Sequence, residues 1–232
     1  MFRRIILTGI IAGLLTGLAF TLVQAFTTVP LILLAEVYEA GPAASSDHAH
    51  APGVAAHDHD EASWSPAEGL ERSFYTGLAN IVTAVGFGLV LSACLALHGK
   101  PVDPRRGVVW GLAGYAVFSL APALGLPPEV PGSIAAELAA RQAWWFFAVG
   151  GAALGLWLMI FGRASWMWGL GIVVLALPHA IGAPHPDGYG DAVPPELAAQ
   201  FAAASIVTMA VFWALLGWFA GAAFRRLGPT QA

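Results

Sequence analysis

The chain has 232 residues, of which 58% are hydrophobic and only 10% are charged, with a formal net charge of −4. A soluble domain carries about 25% charged residues, so this chain has too little charge to cover a soluble globule. Its composition is that of a membrane protein, and its single cysteine, Cys94, excludes an internal disulfide and any site built from several thiolates.

Six apolar runs follow one another along the chain, and each is a candidate to cross the membrane. A helix needs about 20 apolar residues to span the hydrocarbon, and the fifth run is short, so five spans is the competing count. The first run is longer than the apolar segment of a signal peptide, and we expect it to be an anchor. The runs are 5–35, 74–97, 107–126, 144–161, 167–182 and 201–224.

The distribution of charge favours six spans. With a cytoplasmic N-terminus, eight of the ten Lys and Arg residues fall on the inner side, and thirteen of the fourteen Asp and Glu residues fall on the outer side. Without the fifth span, Arg225 and Arg226 would face outward. We therefore predict one polytopic all-α domain over 1–232, with both termini cytoplasmic and outer loops at 36–69, 127–140 and 183–199.

A repeated pattern predicts three helical hairpins in the same orientation. The odd-numbered spans end near Pro30, Pro122 and Pro178, and each following span opens with a glutamate. Glu and Arg four residues apart share a helical face, which predicts ion pairs at the outer boundary. The alternative is that these acids only favour the positive end of the helix dipole. The predicted pairs are Glu68 with Arg72 and Glu137 with Arg141.

Glycines at helical spacing predict close helix contacts, because a missing side chain lets two backbones approach. They are Gly9, Gly13 and Gly17, and the pairs Gly107 with Gly111, Gly151 with Gly155, and Gly217 with Gly221.

The first outer loop concentrates histidines and acids. Imidazole and carboxylate together suit divalent ions such as cobalt, nickel and zinc. Neighbouring Ala, Ser, Gly and Pro predict a flexible loop that collects ions with modest affinity. The alternative is a solvated acidic loop whose histidines are incidental. The candidate ligands are His48, His50, His57, Asp58, His59 and Asp60.

Two further histidines, His179 and His185, adjoin prolines near the end of the fifth span. Stiff backbone favours a more selective pair of metal ligands, although carbonyls that the prolines leave free could instead bind the imidazoles. Polar residues in the outer half of the membrane or at its edge are candidates for a transport path. The alternative is that they form hydrogen bonds between helices. They are Gln24, Glu36, Asn80 and Ser205.

Several segments together resemble the CbtA family over nearly the whole chain. They are 1–6, 29–39 with the histidine-rich loop, 69–76, 120–128 and 177–186. The resemblance implies a bacterial or archaeal membrane protein that takes up cobalt alongside cobalamin synthesis. It also implies a small one-span partner, CbtB, with a histidine-rich tail, and family members are commonly described with five spans.

We therefore expect a subunit that imports a divalent metal across the cytoplasmic membrane. The residues indicate only a divalent cation; cobalt is named by the resemblance. No phosphate-binding Gly-x-x-x-x-Gly-Lys-Ser loop occurs, so we expect the membrane potential to drive uptake without ATP hydrolysis by this chain. We expect no enzymatic activity, no permanent cofactor and no nucleic-acid partner, with lipid and CbtB as neighbours and a homo-oligomer left open. The competing hypothesis is a non-transporting structural or assembly subunit with a metal-buffering loop.

Overall fold

The computed structural model describes residues 1–39, 66–67, 69–186, 188 and 193–228, and all regular structure in these ranges is helical. The predicted all-α class is therefore confirmed for this part of the chain. The helices are α1 (Phe2–Phe26), α2 (Thr28–Glu39), α3 (Leu70–His98), α4 (Pro104–Tyr115), a π-helical turn (Ala116–Leu120), α5 (Ala121–Ala123), α6 (Leu138–Phe161), α7 (Ser165–Ile181) and α8 (Pro195–Arg226).

Four of these helices, α1, α3, α6 and α8, are long and apolar enough to cross a membrane, while α2 and α7 are shorter apolar helices. The multi-pass character is thus supported by length and composition. The count of six spans stays a prediction.

The first apolar run is divided, although the sequence predicted one span over 5–35. Helix α1 ends at Phe26, and the Thr27 N–H bonds the Gln24 carbonyl at 3.1 Å in a tightened last turn. Pro30 has no N–H to bond the carbonyl four residues earlier, and its ring crowds that carbonyl, which favours the end of α1 at this point. Helix α2 then continues to Glu39, so the outer loop does not begin at 36 as predicted.

The third apolar run contains a π-helical turn. At its end the Ala121 N–H bonds the Ala116 carbonyl, a step of five residues in place of four. Pro122, which cannot donate, follows at once, and the helical stretch ends at Ala123 rather than at the predicted 126.

Glycines bring three pairs of helices into close contact, as predicted. A Cβ atom on Gly13 of α1 would lie 2.5 Å from the Val85 nitrogen of α3. On Gly107 of α4 it would lie 3.0 Å from the Gly221 Cα of α8, and on Gly155 of α6 it would lie 2.7 Å from the carbonyl oxygen of Gly171 in α7. Side chains larger than hydrogen do not fit at these points.

These pairs differ from the three predicted hairpins. Helices α1 and α3 pack side by side as the first hairpin requires. Helix α4, however, packs along α8, and α6 packs along α7, while α4 reaches α6 mainly through the π turn and α5. The repeat in the sequence is therefore not matched by three separate hairpins in the packing.

Neighbouring helices run antiparallel. Gly9 faces Leu89 and Gly17 faces Ile81, so α1 and α3 point in opposite directions. The contacts of α4 with α8 and of α6 with α7 follow the same rule. Within the described residues, α1, α3, α4, α6, α7 and α8 therefore alternate in direction.

The bundle has two ends of different charge. At the basic end Arg4 bonds the Phe224 carbonyl, and the His98 and Phe161 rings lie 6.5 Å apart. At the opposite end, called the loop end, Trp144 lies against Gly125 and Pro178. The eight basic residues that the sequence assigned to one side all lie at the basic end: Arg3, Arg4, Lys100, Arg105, Arg106, Arg163, Arg225 and Arg226.

The core lies between α1, α3 and α8 and is rich in aromatic rings. Phe20 meets Phe212 edge-on at 5.0 Å, and the Phe87 ring lies 4.9 Å from Trp213. The outward faces are apolar as well, with Leu22, Val82 and Phe146 well exposed. Large exposed apolar faces are unusual in soluble monomers and suit contact with lipid.

Candidate functional site

A cavity of about 730 Å³ opens at the loop end between the π turn, the start of α6 and the middle of α8. Its walls are mainly aromatic rings and prolines, with a few polar groups among them. Such walls are typical of a ligand site, because the few polar groups orient what the apolar walls enclose. The polar lining residues are Tyr115, Ser119, Glu129, Arg141, Gln142 and Ser205.

The π turn attaches one wall of this cavity to α8. The Trp213 indole N–H donates to Ser119 Oγ at 3.0 Å, and Tyr115 at the start of the turn donates its hydroxyl to the Ile206 carbonyl at 3.1 Å. A π turn displaces the following side chains from regular α register and often occurs at functional sites. Here it places Phe118 and Ser119 on the cavity wall.

An ion pair lies at the cavity wall. Arg141 Nη2 is 2.9 Å from Glu129 Oε2, and about a third of each side chain is exposed. Glu129 is the one carboxylate among the residues that line the cavity. A partly exposed ion pair contributes little to stability, so separating the two side chains costs little.

This pair replaces the predicted pair of Glu137 with Arg141. The Glu137 carboxylate instead accepts hydrogen bonds from the Ala139 and Ala140 N–H groups at 2.9 and 2.8 Å, and so caps α6. Those two bonds lower the pKa of Glu137 below its usual range. The structure therefore favours the helix-terminus interpretation for Glu137 and leaves Arg141 for Glu129.

A second ion pair joins α2 to the first turn of α3. The Arg72 guanidinium donates to both carboxylate oxygens of Glu36, and the bond from Nη1 measures 2.9 Å. This bidentate bond holds the pKa of Glu36 below its usual range. Glu36, a predicted path residue, thus links α2 to α3 through this ion pair. Glu68 lies outside the described residues, and its pairing with Arg72 stays a prediction.

Two of the other predicted path residues bridge α1 and α3. Asn80 Nδ2 donates to Gln24 Oε1 at 2.7 Å and to Thr21 Oγ1 at 3.1 Å. The bridge adjoins the seam where Gly17 of α1 meets the backbone of α3 without room for a side chain. Gln24 and Asn80 therefore stabilise a closed contact, and Ser205 is the one predicted path residue that lines the cavity.

The histidines near Pro178 are separated from this cavity. His179, half-buried at the end of α7, places its ring 5.7 Å from that of Trp144, and His185 is exposed. The Pro178 carbonyl accepts from the Trp144 indole and the Gly182 N–H. In the described ranges no three His, Cys, Asp or Glu side chains lie close enough together to hold a metal ion.

The loop ligands lie outside the described residues, so their role stays a prediction; they are His48, His50, His57, Asp58, His59 and Asp60.

Sequence reasoning did not select Glu129 or Gln142. Glu129 lies in the stretch Pro128-Glu129-Val130-Pro131, whose prolines stiffen the backbone, and Val130 is buried beneath it. An acid between two prolines was the signal available in the sequence. Gln142 carries no local signal, because its position depends on how α6 meets α8.

The CbtA family, described as probable cobalt transporter subunit, matches the chain over residues 2–225. The chain belongs to the CbtA family. The resemblance read from the sequence is thereby confirmed, and the family description of a subunit implies that other subunits exist. No curated protein and no solved structure matches this chain.

Proposed function

We propose that this CbtA chain is the membrane-embedded subunit of a cobalt uptake system, and that the ion passes through the loop-end cavity. The observation that carries the proposal is the position of Glu129, the one lining carboxylate, beside Arg141 in a cavity large enough for a hydrated ion. Family membership supplies the substrate class. Cobalt, nickel and zinc share these oxygen and nitrogen ligands, so the cavity by itself fits any of them.

The cavity suits passage better than the seam between α1 and α3. At the seam a Cβ atom on Gly13 would lie 2.5 Å from the Val85 nitrogen, so an ion has no space there. The cavity offers the carboxylate of Glu129, the amide of Gln142 and the hydroxyl of Ser205. One carboxylate and a few neutral oxygens bind a divalent ion weakly. Such a ligand set suits an ion that keeps part of its hydration shell and is released again.

In this mechanism Arg141 controls whether the Glu129 carboxylate is free to bind the ion. With the ion absent, Arg141 neutralises the carboxylate across 2.9 Å. An arriving divalent cation attracts Glu129 and repels Arg141, so the pair opens and the carboxylate becomes a ligand. When the ion leaves, the pair closes again.

We further propose six crossings, with the basic end in the cytoplasm. This orientation follows the rule that Lys and Arg stay on the cytoplasmic side, and it is supported by the eight basic residues gathered at one end. The loop end then faces outward, where its acids raise the local cation concentration. The loop histidines, with His179 and His185, remain proposed ligands on this outer side.

The membrane potential provides a sufficient driving force. A divalent ion entering an interior-negative cell gains roughly 4.6 kcal/mol per 100 mV, on the order of a thousandfold accumulation. No phosphate-binding loop for ATP occurs in the sequence.

The test is cobalt accumulation in energised cells that express this chain together with a CbtB-like partner, with and without an uncoupler. We expect accumulation well above that of cells with an empty vector, and its loss when the uncoupler is added. Accumulation equal to the empty-vector cells, with the protein present in the membrane, would overturn the proposal. It would favour the structural-subunit hypothesis instead.

A further inference from the structure

A second cavity, of about 790 Å³, opens at the basic end of the bundle, far from the cavity proposed for metal. Its floor is apolar and includes Leu95, Val102 and Phe224, all of them buried. Its rim carries five basic side chains and a single carboxylate, that of Asp103. The basic rim residues are Arg4, Lys100, Arg106, Arg225 and Arg226.

Some of the rim charges are already held by the protein. Arg4 Nε donates to the Phe224 carbonyl at 2.9 Å, and its guanidinium lies 3.5 Å above the Phe224 ring, so it closes the end of α8. Asp103 accepts from the Arg106 N–H at 2.8 Å and caps α4. The one acid on the rim is thus used by a helix terminus.

Three of the remaining rim cations are available to a ligand, whereas Arg106 Nη1 donates to the Pro101 carbonyl at 3.3 Å. In the described part of the chain, the side chains of Lys100, Arg225 and Arg226 make no hydrogen bond and no ion pair. They surround an apolar floor, and the adjoining outer surface is also apolar, with Phe2 76% and Leu97 87% exposed. A cationic rim above an apolar floor is complementary to an amphiphile.

We propose that this cavity binds the phosphate group of an anionic phospholipid. Lys and Arg side chains bind phosphate oxygens through charge-assisted hydrogen bonds, and basic pockets between membrane helices recognise acidic headgroups. The acyl chains extend along the apolar surface beside Leu97. Free phosphate offers the same charge but makes no contact with the apolar surface beside Leu97. This site does not depend on the proposed transport of metal.

Two matched triple variants test the site. The cavity triple is Lys100→Gln, Arg225→Gln and Arg226→Gln. The control triple is Arg3→Gln, Arg105→Gln and Arg163→Gln, which removes the same charge from the same end outside the cavity. Binding of short-chain phosphatidylglycerol to the detergent-solubilised chain is measured by thermal shift, with phosphatidylcholine and inorganic phosphate as the comparison ligands. All six residues are exposed, so both triples should fold.

We expect phosphatidylglycerol to stabilise the wild type and the control triple alike. Its affinity for the cavity triple should be weaker by at least about tenfold. Equal loss of affinity in both triples would overturn the proposal, since it would mean diffuse attraction to the basic end. Stabilisation by inorganic phosphate as strong as by phosphatidylglycerol, and lost in the cavity triple, would overturn the lipid as the source of the phosphate. Native mass spectrometry of the wild type gives a second readout, with phosphatidylglycerol retained in preference to phosphatidylcholine.

Discussion

Glu129 and Arg141 form an ion pair of 2.9 Å at the wall of the loop-end cavity, although the spacing along the chain favours Arg141 with Glu137. The pair places a neutralised carboxylate in a chamber whose other walls are aromatic rings and prolines. A neutralised carboxylate is a convenient ligand for a transient cation, because the positive partner restores neutrality after the ion leaves. The predictions below separate this role from the contributions of other polar residues to stability.

Replacing Gly111 by Ala should weaken the contact between α4 and α8. A Cβ atom there would lie 3.1 Å from the Gly217 Cα and closer still to the Trp213 carbonyl, so the helices must move apart. We expect a loss of about 1–3 kcal/mol in the free energy of unfolding, measured by denaturation in detergent. Gly150→Ala, on a helix face with nothing within 4 Å, is the control and should leave stability unchanged or raise it slightly. Equal effects of the two changes would contradict the packing.

Replacing Asn80 by Ala should lower stability but leave transport intact. The change removes the bonds to Gln24 and Thr21, and an interhelical hydrogen bond in a membrane contributes about 0.6 kcal/mol on average. Cobalt uptake per folded molecule, with the amount of protein measured in the same membranes, should equal that of the wild type. A specific loss of uptake would place Asn80 on the ion path.

Replacing Ser205 by Phe should block the loop-end cavity. Ser205 lies on the wall that α8 contributes, and a phenyl ring there would occupy part of the 730 Å³. We expect the initial rate of cobalt uptake to fall by about tenfold or more, because conduction depends on the free width of the path. Thr83→Phe, on an exposed position of α3, adds the same ring outside the cavity and should have little effect.

The cap formed by Glu137 should give a characteristic pH dependence. Its pKa is lowered from 4.5 in the folded state because two backbone N–H groups bond the carboxylate. The charged cap therefore stabilises the fold at pH values above 4.5, and this contribution is lost as the pH falls through the folded pKa. The difference in Tm between wild type and Glu137→Gln should stay constant near neutral pH and shrink only in acid. A difference that already shrinks near neutral pH would contradict this arrangement.

Glycine spacing predicted where helices touch but not which helices touch. A glycine such as Gly107 marks a close approach whatever its partner, so the contact is a local property. The choice of α8 over α6 as the partner of α4 depends on how all helices fit together, and the repeat in the sequence suggested the wrong neighbour. Apolar composition and the positions of the long helices are likewise local properties, and the prediction of helix bounds was wrong where a proline intervenes, at Pro30 and Pro122.

The partner of Arg141 shows the same limit. Spacing within a helix brings Glu137 and Arg141 to one face. The first N–H groups of α6, however, have no partner within the helix, and those of Ala139 and Ala140 bond the Glu137 carboxylate. Arg141 then meets Glu129, which comes from the preceding loop. The predicted path residues differ in role for a related reason. Gln24 and Asn80 hydrogen-bond to each other where α1 packs against α3, whereas Ser205 lines the cavity.

The decisive measurement for the ion pair is the apparent KM for cobalt uptake in the Glu129→Gln and Arg141→Gln variants, with Glu196→Gln as the control acid at the same end. Loss of the carboxylate leaves Arg141 to repel the ion, and we expect KM to rise about tenfold, roughly 1.4 kcal/mol of ion binding. Loss of the guanidinium frees Glu129 and should lower KM, while Glu196→Gln should leave it near the wild-type value. A KM that changes in the same direction in both cavity variants, or that does not change in either, would contradict the proposed role of this ion pair.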